Sequence, residues 1–241
     1  DFEGLRQSED CLSVNVWRPA SASASAPRPV LVFIHGGAFV IGSSADPLLE
    51  GSGLSLYDGA HLAASENLVV VTFNYRLGAL GFLAGVAGVQ GNFGLLDQQL
   101  ALAWVQDNIR AFGGNPNVVT LAGQSAGAMS VGLHLNAVPS SEALFDAAIM
   151  QSNPLGLPYP SLADATSVGE LFMLSLGCQF RADQLGCLRA KGLDEVLEAQ
   201  RGRLLRLTVL DFGLAGFLTW TPVVDGQLVQ RQPFAGASDK P

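Results

Sequence analysis

Histidine, lysine and clustered charge are all scarce in this chain. Only 14% of the residues are charged, two of the 13 basic residues are lysines, and the net charge is -8 with a pI near 4.7. The basic residues are scattered, so there is no stripe to neutralise phosphates, which argues against nucleic acid as a partner. No apolar run reaches the roughly 20 residues of a membrane span. "VLVFIHGGAFVIG" and "LVVVTFNY" are cut by Gly or polar residues and read as buried strands. The first residues, "DFEGLRQSEDCL", carry no basic segment, apolar core or cleavage site, so no signal peptide is visible. Cysteine is limited to Cys11, Cys178 and Cys187; with an odd count, one thiol is free or pairs elsewhere. Spacing alone leaves Cys178 and Cys187 open between a small closed loop and two separate buried thiols.

What the chain has in quantity is hydrophobic side chain, 49% of its 241 residues, enough to bury one sizeable core. "LSVNVW" (12–17) alternates like a half-buried strand, and "SASASAPRP" (21–29) is a low-complexity connection. "PVLVFI" (29–34), "LVVVTFNY" (68–75), "VVTLAG" (118–123) and "AAIMQS" (147–152) are short continuous apolar runs, the pattern of strands buried on both faces. A helical segment, "DGAHLAASEN" (58–67), separates the second run from the first. Leu102, Val105, Ile109 and Phe112 step along a second helix that Gly113 and Gly114 terminate. Strands alternating with helices predict an α/β fold with a largely parallel sheet. From 154 to 220 the texture becomes that of a helical insertion.

Gly123-Gln124-Ser125-Ala126-Gly127 fits the G-x-S-x-G elbow, with an apolar strand before it and a helix-compatible stretch after it. The two glycines have a steric reason, since side chains two residues either side of Ser125 would collide where strand and helix approach. "FIHGGAF" (33–39) adds a glycine-rich turn after a buried strand, the arrangement that aims backbone N–H groups at a developing oxyanion. Gly37, Ala38 and Ala126 are the candidate donors.

These segments, together with "EDCLSVNVW", "NYRLGALGFL", "GNFGLLDQQLALAWVQDNIRAFGGNP", "AAIMQSN" and "TPVVDG", resemble the type B carboxylesterases, a group that includes cholinesterases and bacterial para-nitrobenzyl esterases. The resemblance covers nearly the whole chain and implies an α/β-hydrolase fold, incomplete at both ends. It implies that Ser125 forms an acyl intermediate with a small-molecule carboxylic ester and that Gly37, Ala38 and Ala126 hold the oxyanion. No metal or cofactor is implied. It pairs Glu9 with Arg76 as an ion pair and Cys178 with Cys187 as a disulfide, and it places the mate of Cys11 upstream of residue 1. Disulfides point to an exported protein, secreted or periplasmic. Eleven Arg against two Lys and the Ala/Gly-rich usage point to a GC-rich bacterial source. Gln124 and Ala38 depart from the family, which often has glutamate and a third glycine there.

The base is harder to find, because the chain has only His35, His61 and His134. His35 belongs to the glycine loop, where its backbone and packing matter more than its imidazole. His134 follows Ser125 by nine residues on the same predicted helix, roughly 13 Å along the axis at about 1.5 Å per residue and on the opposite face. His61 precedes the serine, against the fold's order of Ser, acid, His. Among the acids, Asp164, Asp211 and Asp225 follow Ser125, but the family's triad acid lies a few tens of residues beyond the "PVVDG" motif. Lys191 and Lys240 sit in no catalytic-looking context. The expectation is therefore an N-terminal part of a serine esterase, nearly inactive alone. The alternative is a catalytically silent, cholinesterase-like adhesion module, against which the intact elbow counts.

Overall fold

Among the described residues, five strands form one sheet in the order β1-β3-β2-β4-β5. These are β1 (Val14–Trp17), β2 (Arg28–Ile34), β3 (Val69–Phe73), β4 (Gly114–Gln124) and β5 (Ala147–Gln151). This computed structural model describes residues 7–48, 55–154, 156–202 and 218–234. Strands β3, β2, β4 and β5 run parallel and β1 lies antiparallel on β3. The sheet is the largely parallel α/β arrangement the sequence predicts.

Val32 shows why the central strands read as unbroken apolar runs. It pairs with Val71 on one side and Leu121 on the other, and all three are fully buried. Helices α1 (Ala60–Glu66), α2 (Gly78–Phe82), α3 (Phe93–Asn108) and α4 (Ala126–Asn136) follow the strands in turn. Within 154–220 the described residues form α5 (Leu162–Ser175), α6 (Gln184–Arg189) and α7 (Leu193–Gln200); residues 203–217, Asp211 among them, lie outside the described set.

Among the described residues β5 ends the strand order, and its Ala147, Ile149 and Gln151 are exposed. One expectation needs correction. The spacing of Leu102, Val105, Ile109 and Phe112 predicts one apolar stripe, yet Phe112 is 37% exposed while the other three are fully buried. The α-helix ends at Asn108 and tightens into a 3-10 turn over Ile109–Phe112. A turn of three residues moves Phe112 off the α-helical stripe, and its ring rests 5.7 Å from that of Trp104. Gly113, with φ 80°, closes the turn as expected.

Candidate active site

Ser125 sits between the end of β4 and the start of α4 with φ 54° and ψ -121°, a conformation L-residues rarely adopt. Such strain costs on the order of 1–3 kcal/mol and persists only where the surroundings impose it. Here they do. The Ser125 N–H donates to the Gln151 carbonyl of β5 at 2.9 Å, and its own carbonyl accepts from the Met129 N–H at 2.9 Å. A Cβ on Gly123 would lie 2.5 Å from the carbonyl group of Gly127, and one on Gly127 would lie 2.1 Å from the Ile34 carbonyl oxygen. Both glycines are therefore obligatory, the second because α4 crosses directly over the end of β2.

Three consecutive residues after that strand, Gly37, Ala38 and Phe39, have φ of 114°, 53° and 61°. This turn folds the loop back toward the elbow. A Cβ on Gly36 would stand 3.2 Å from the Ser125 Cβ and 2.8 Å from the Gln124 carbonyl oxygen. The two glycine-bearing segments of the sequence thus meet at Ser125. The Gly37 carbonyl accepts from the N–H groups of Val40 and Ile41, each at 3.0 Å, and the Gly36 carbonyl accepts from His35 Nδ1 at 2.8 Å. Among the described residues, the backbone N–H groups of Gly37, Ala38 and Ala126 have no hydrogen-bond acceptor.

No histidine reaches the serine. His134 is buried, with Nδ1 2.8 Å from Ser141 Oγ and Nε2 2.8 Å from Gln98 Oε1. An amide oxygen only accepts, so Nε2 carries the proton and Nδ1 accepts from Ser141. Gln98 passes the chain on to Ser130 Oγ at 3.0 Å, which donates to the Ala126 carbonyl at 3.0 Å. His61 is exposed on α1. His35 is buried and spends Nδ1 on Gly36. Burial drives the pKa of both His35 and His134 down to about 4. Among the described residues, nothing hydrogen-bonds to Ser125 Oγ.

Among the described residues, the candidate acids Asp164 and Asp225 and the candidate Lys191 are occupied with structure; Asp211 and Lys240 lie outside the described set. Asp164 forms a capping box with Ser161 at the start of α5. Asp225 Oδ1 accepts from the N–H groups of Gln227 and Val229, and its Oδ2 accepts from Asn92 Nδ2 at 2.9 Å. Lys191 pairs with Glu195 on the surface.

Arg76 does not pair with Glu9. Its Nε donates to Asp97 Oδ2 and its Nη2 to Asp97 Oδ1, both at 2.8 Å, and its backbone N–H also reaches Oδ2 at 3.0 Å. Asp97 is buried on α3, whereas Glu9 is exposed. The hydrogen bonds to Asp97 lead in raising the Arg76 pKa further. A fork of two donors matches one carboxylate, and the buried one gains most from it. Cys178 and Cys187 are joined as a disulfide with Cα atoms 5.7 Å apart, and Cys11 is half-buried with no disulfide partner among the described residues.

The sequence matches the Carboxylesterase family over residues 1–240. The chain belongs to that family. It is 41% identical over 232 residues to the cAMP-regulated D2 protein of Dictyostelium discoideum, covering 96% of this chain and 41% of that protein. It is 40% identical over 234 residues to an acetylcholinesterase of Bungarus fasciatus, covering 95% of this chain and 36% of that one. A solved structure of a PNB esterase superposes with a TM-score of 0.79 at 38% identity, over 95% of this chain and 45% of the esterase. The chain spans less than half the length of each.

Within this carboxylesterase domain, several residues that shape the site had no local signal. Asp97 lies 21 residues from Arg76, and Gln98 and Ser141 flank His134 from other elements. Asn92, in the left-handed region with φ 58°, clamps the "TPVVDG" segment through the Val223 carbonyl, the Val223 N–H and Asp225. A cavity of about 310 Å³ lies beside Met129, one turn along α4, walled by Phe82, Tyr159, Trp220 and Val223; Ser125 does not line it. Among the described residues, no three His, Cys, Asp or Glu side chains gather as a metal site, and no helix is long and apolar enough to cross a membrane.

Proposed function

We propose that the protein carrying this chain hydrolyses small-molecule carboxylic esters through an acyl-Ser125 intermediate. The observation that carries this reading is the contact between the two glycine segments: Gly36 lies against Ser125, next to N–H groups with no acceptor. Ser125 Oγ adds to the ester carbonyl carbon as its proton passes to a base. The oxyanion so formed accepts hydrogen bonds from Gly37, Ala38 and Ala126, the last at the N-terminal end of α4, where the helix dipole favours negative charge. Collapse breaks the C–O bond and the alcohol leaves with the base's proton. Water then attacks the acyl-serine by the reverse proton route, releasing the acid and Ser125.

The base and its acid partner come from outside these 241 residues on this reading, because each described histidine is engaged elsewhere or exposed. The chain alone is expected to be slower than the whole enzyme by on the order of 10⁴-fold or more, since a serine without its base loses that much or more. The disulfide supports export to an oxidising compartment.

The test is hydrolysis of p-nitrophenyl esters by the protein with its native continuation, beside Ser125→Ala. The reading requires the variant to lose nearly all activity; equal rates would refute it.

A further inference from the structure

We propose that the His35 imidazole is a positioning residue for this reaction: its Nδ1–H fixes the Gly36–Gly37 peptide plane and so aims the Gly37 N–H at the oxyanion. This rests on the acyl-serine reading above. A peptide group is planar, with its C=O and N–H pointing in opposite directions, so holding the carbonyl sets the direction of the N–H. Each of the three candidate donors belongs to a peptide whose carbonyl is held in this way. The Ser125 carbonyl, ahead of the Ala126 N–H, is held by Met129; the Gly37 carbonyl, ahead of the Ala38 N–H, is held by Val40 and Ile41. Those holds are backbone to backbone. The Gly36 carbonyl, ahead of the Gly37 N–H, is held by a side chain, His35 Nδ1 at 2.8 Å.

The ring is itself fixed from the far side. It stacks on Tyr75 with centroids 4.6 Å apart and 22° between planes, and the Tyr75 hydroxyl donates to the His35 carbonyl at 3.1 Å. Gly42 completes the seat, since a Cβ there would come within 2.6 Å of the Gly36 oxygen and 2.8 Å of Nδ1. Among the described residues, the buried His35 Nε2 has no partner, which costs about 1–3 kcal/mol. A phenylalanine would fill the same stacked position without that cost. The Nδ1–H bond is what histidine supplies there. Burial, by lowering its pKa to about 4, keeps the ring neutral near neutral pH, and the Gly36 carbonyl, which only accepts, holds the proton on Nδ1.

The experiment compares His35→Phe, His35→Asn and Ser125→Ala in the protein with its native continuation. His35→Phe keeps the stack and removes the donor. Its kcat is expected to fall about 10- to 100-fold, less than the loss of a whole donor, with KM within about threefold. Binding of a trifluoromethyl ketone should weaken in parallel. Asn, whose amide N–H reaches the position of Nδ1, should recover most of the loss. An unchanged kcat in His35→Phe, or equal loss in Phe and Asn, overturns the role of His35 while a dead Ser125→Ala leaves the acyl-serine reading standing. Activity retained by Ser125→Ala overturns both. If His35→Phe does not fold, ¹⁵N-histidine NMR of the unaltered protein decides: a proton on Nδ1 between about pH 6 and 8 supports the proposal, and one on Nε2 overturns it.

Discussion

Arg76 grips Asp97 with two parallel hydrogen bonds of 2.8 Å, and the guanidinium carbon also lies 5.3 Å from the centre of the Phe93 ring. The pair ties the loop after β3 to the first half of α3, whose Gln98 donates to Ser130 on α4. Asp97 is nearly inaccessible while the Arg76 side chain is 36% exposed.

Removing one partner leaves the other exposed to different penalties. Arg76→Met strands a buried carboxylate and is expected to destabilise by about 2–3 kcal/mol, below the full cost of a wholly buried pair because water reaches the arginine. Glu9→Gln should change stability by less than about 0.5 kcal/mol. Urea denaturation of the two variants distinguishes this arrangement from a Glu9–Arg76 pair, which requires comparable losses.

The elbow glycines can be tested against a neutral one. Gly127→Ala places a Cβ against the Ile34 carbonyl, where backbone must move, and is expected to cost about 3 kcal/mol and the esterase activity with it. Gly156→Ala meets nothing within 4 Å and has no left-handed φ, so it should be neutral to within about 1 kcal/mol. Thermal melts and ester turnover of both variants check the contrast.

The two buried histidines set a pH dependence with a definite sign. Their pKa values are about 4 folded against an ordinary 6.5 unfolded. Between those values the unfolded chain binds more protons, so stability is full above about pH 6.5 and is lost as pH falls toward 4. Each histidine contributes on the order of 3 kcal/mol to that loss. Urea midpoints measured from pH 7 down to pH 4 should fall steadily, and His134→Gln should flatten the slope.

The disulfide closes a short loop between α5 and α6, with a sequence separation of 9. Replacing both Cys178 and Cys187 with Ala should lower stability by about 3 kcal/mol on the chain-entropy account. Calorimetry of the double variant beside the reduced wild-type protein measures it.

The elements legible in the sequence were those defined by contacts along the chain. The β4-Ser125-α4 turn announces itself because both glycines guard approaches within a few residues of the serine or across one strand crossing. Gly113 ends α3 for an equally local reason. Ion-pair choice and burial depend on elements far apart in sequence. Arg76 selects Asp97 over Glu9 because α3 brings a buried carboxylate to it. His35 shows the boundary most clearly. The "HGG" loop was readable, but the use of the imidazole, bonded forward to Gly36 and stacked on Tyr75 from β3's exit, belongs to the tertiary structure.

The central claim is that Ser125 is the acylated atom's carrier, and covalent labelling tests it most directly. The protein with its native continuation would be treated with a fluorophosphonate, digested and read by mass spectrometry. The account predicts one adduct, on Ser125, and a much slower reaction for the 241-residue chain alone. Label on any other residue of an active enzyme, with Ser125 unmodified, would contradict it.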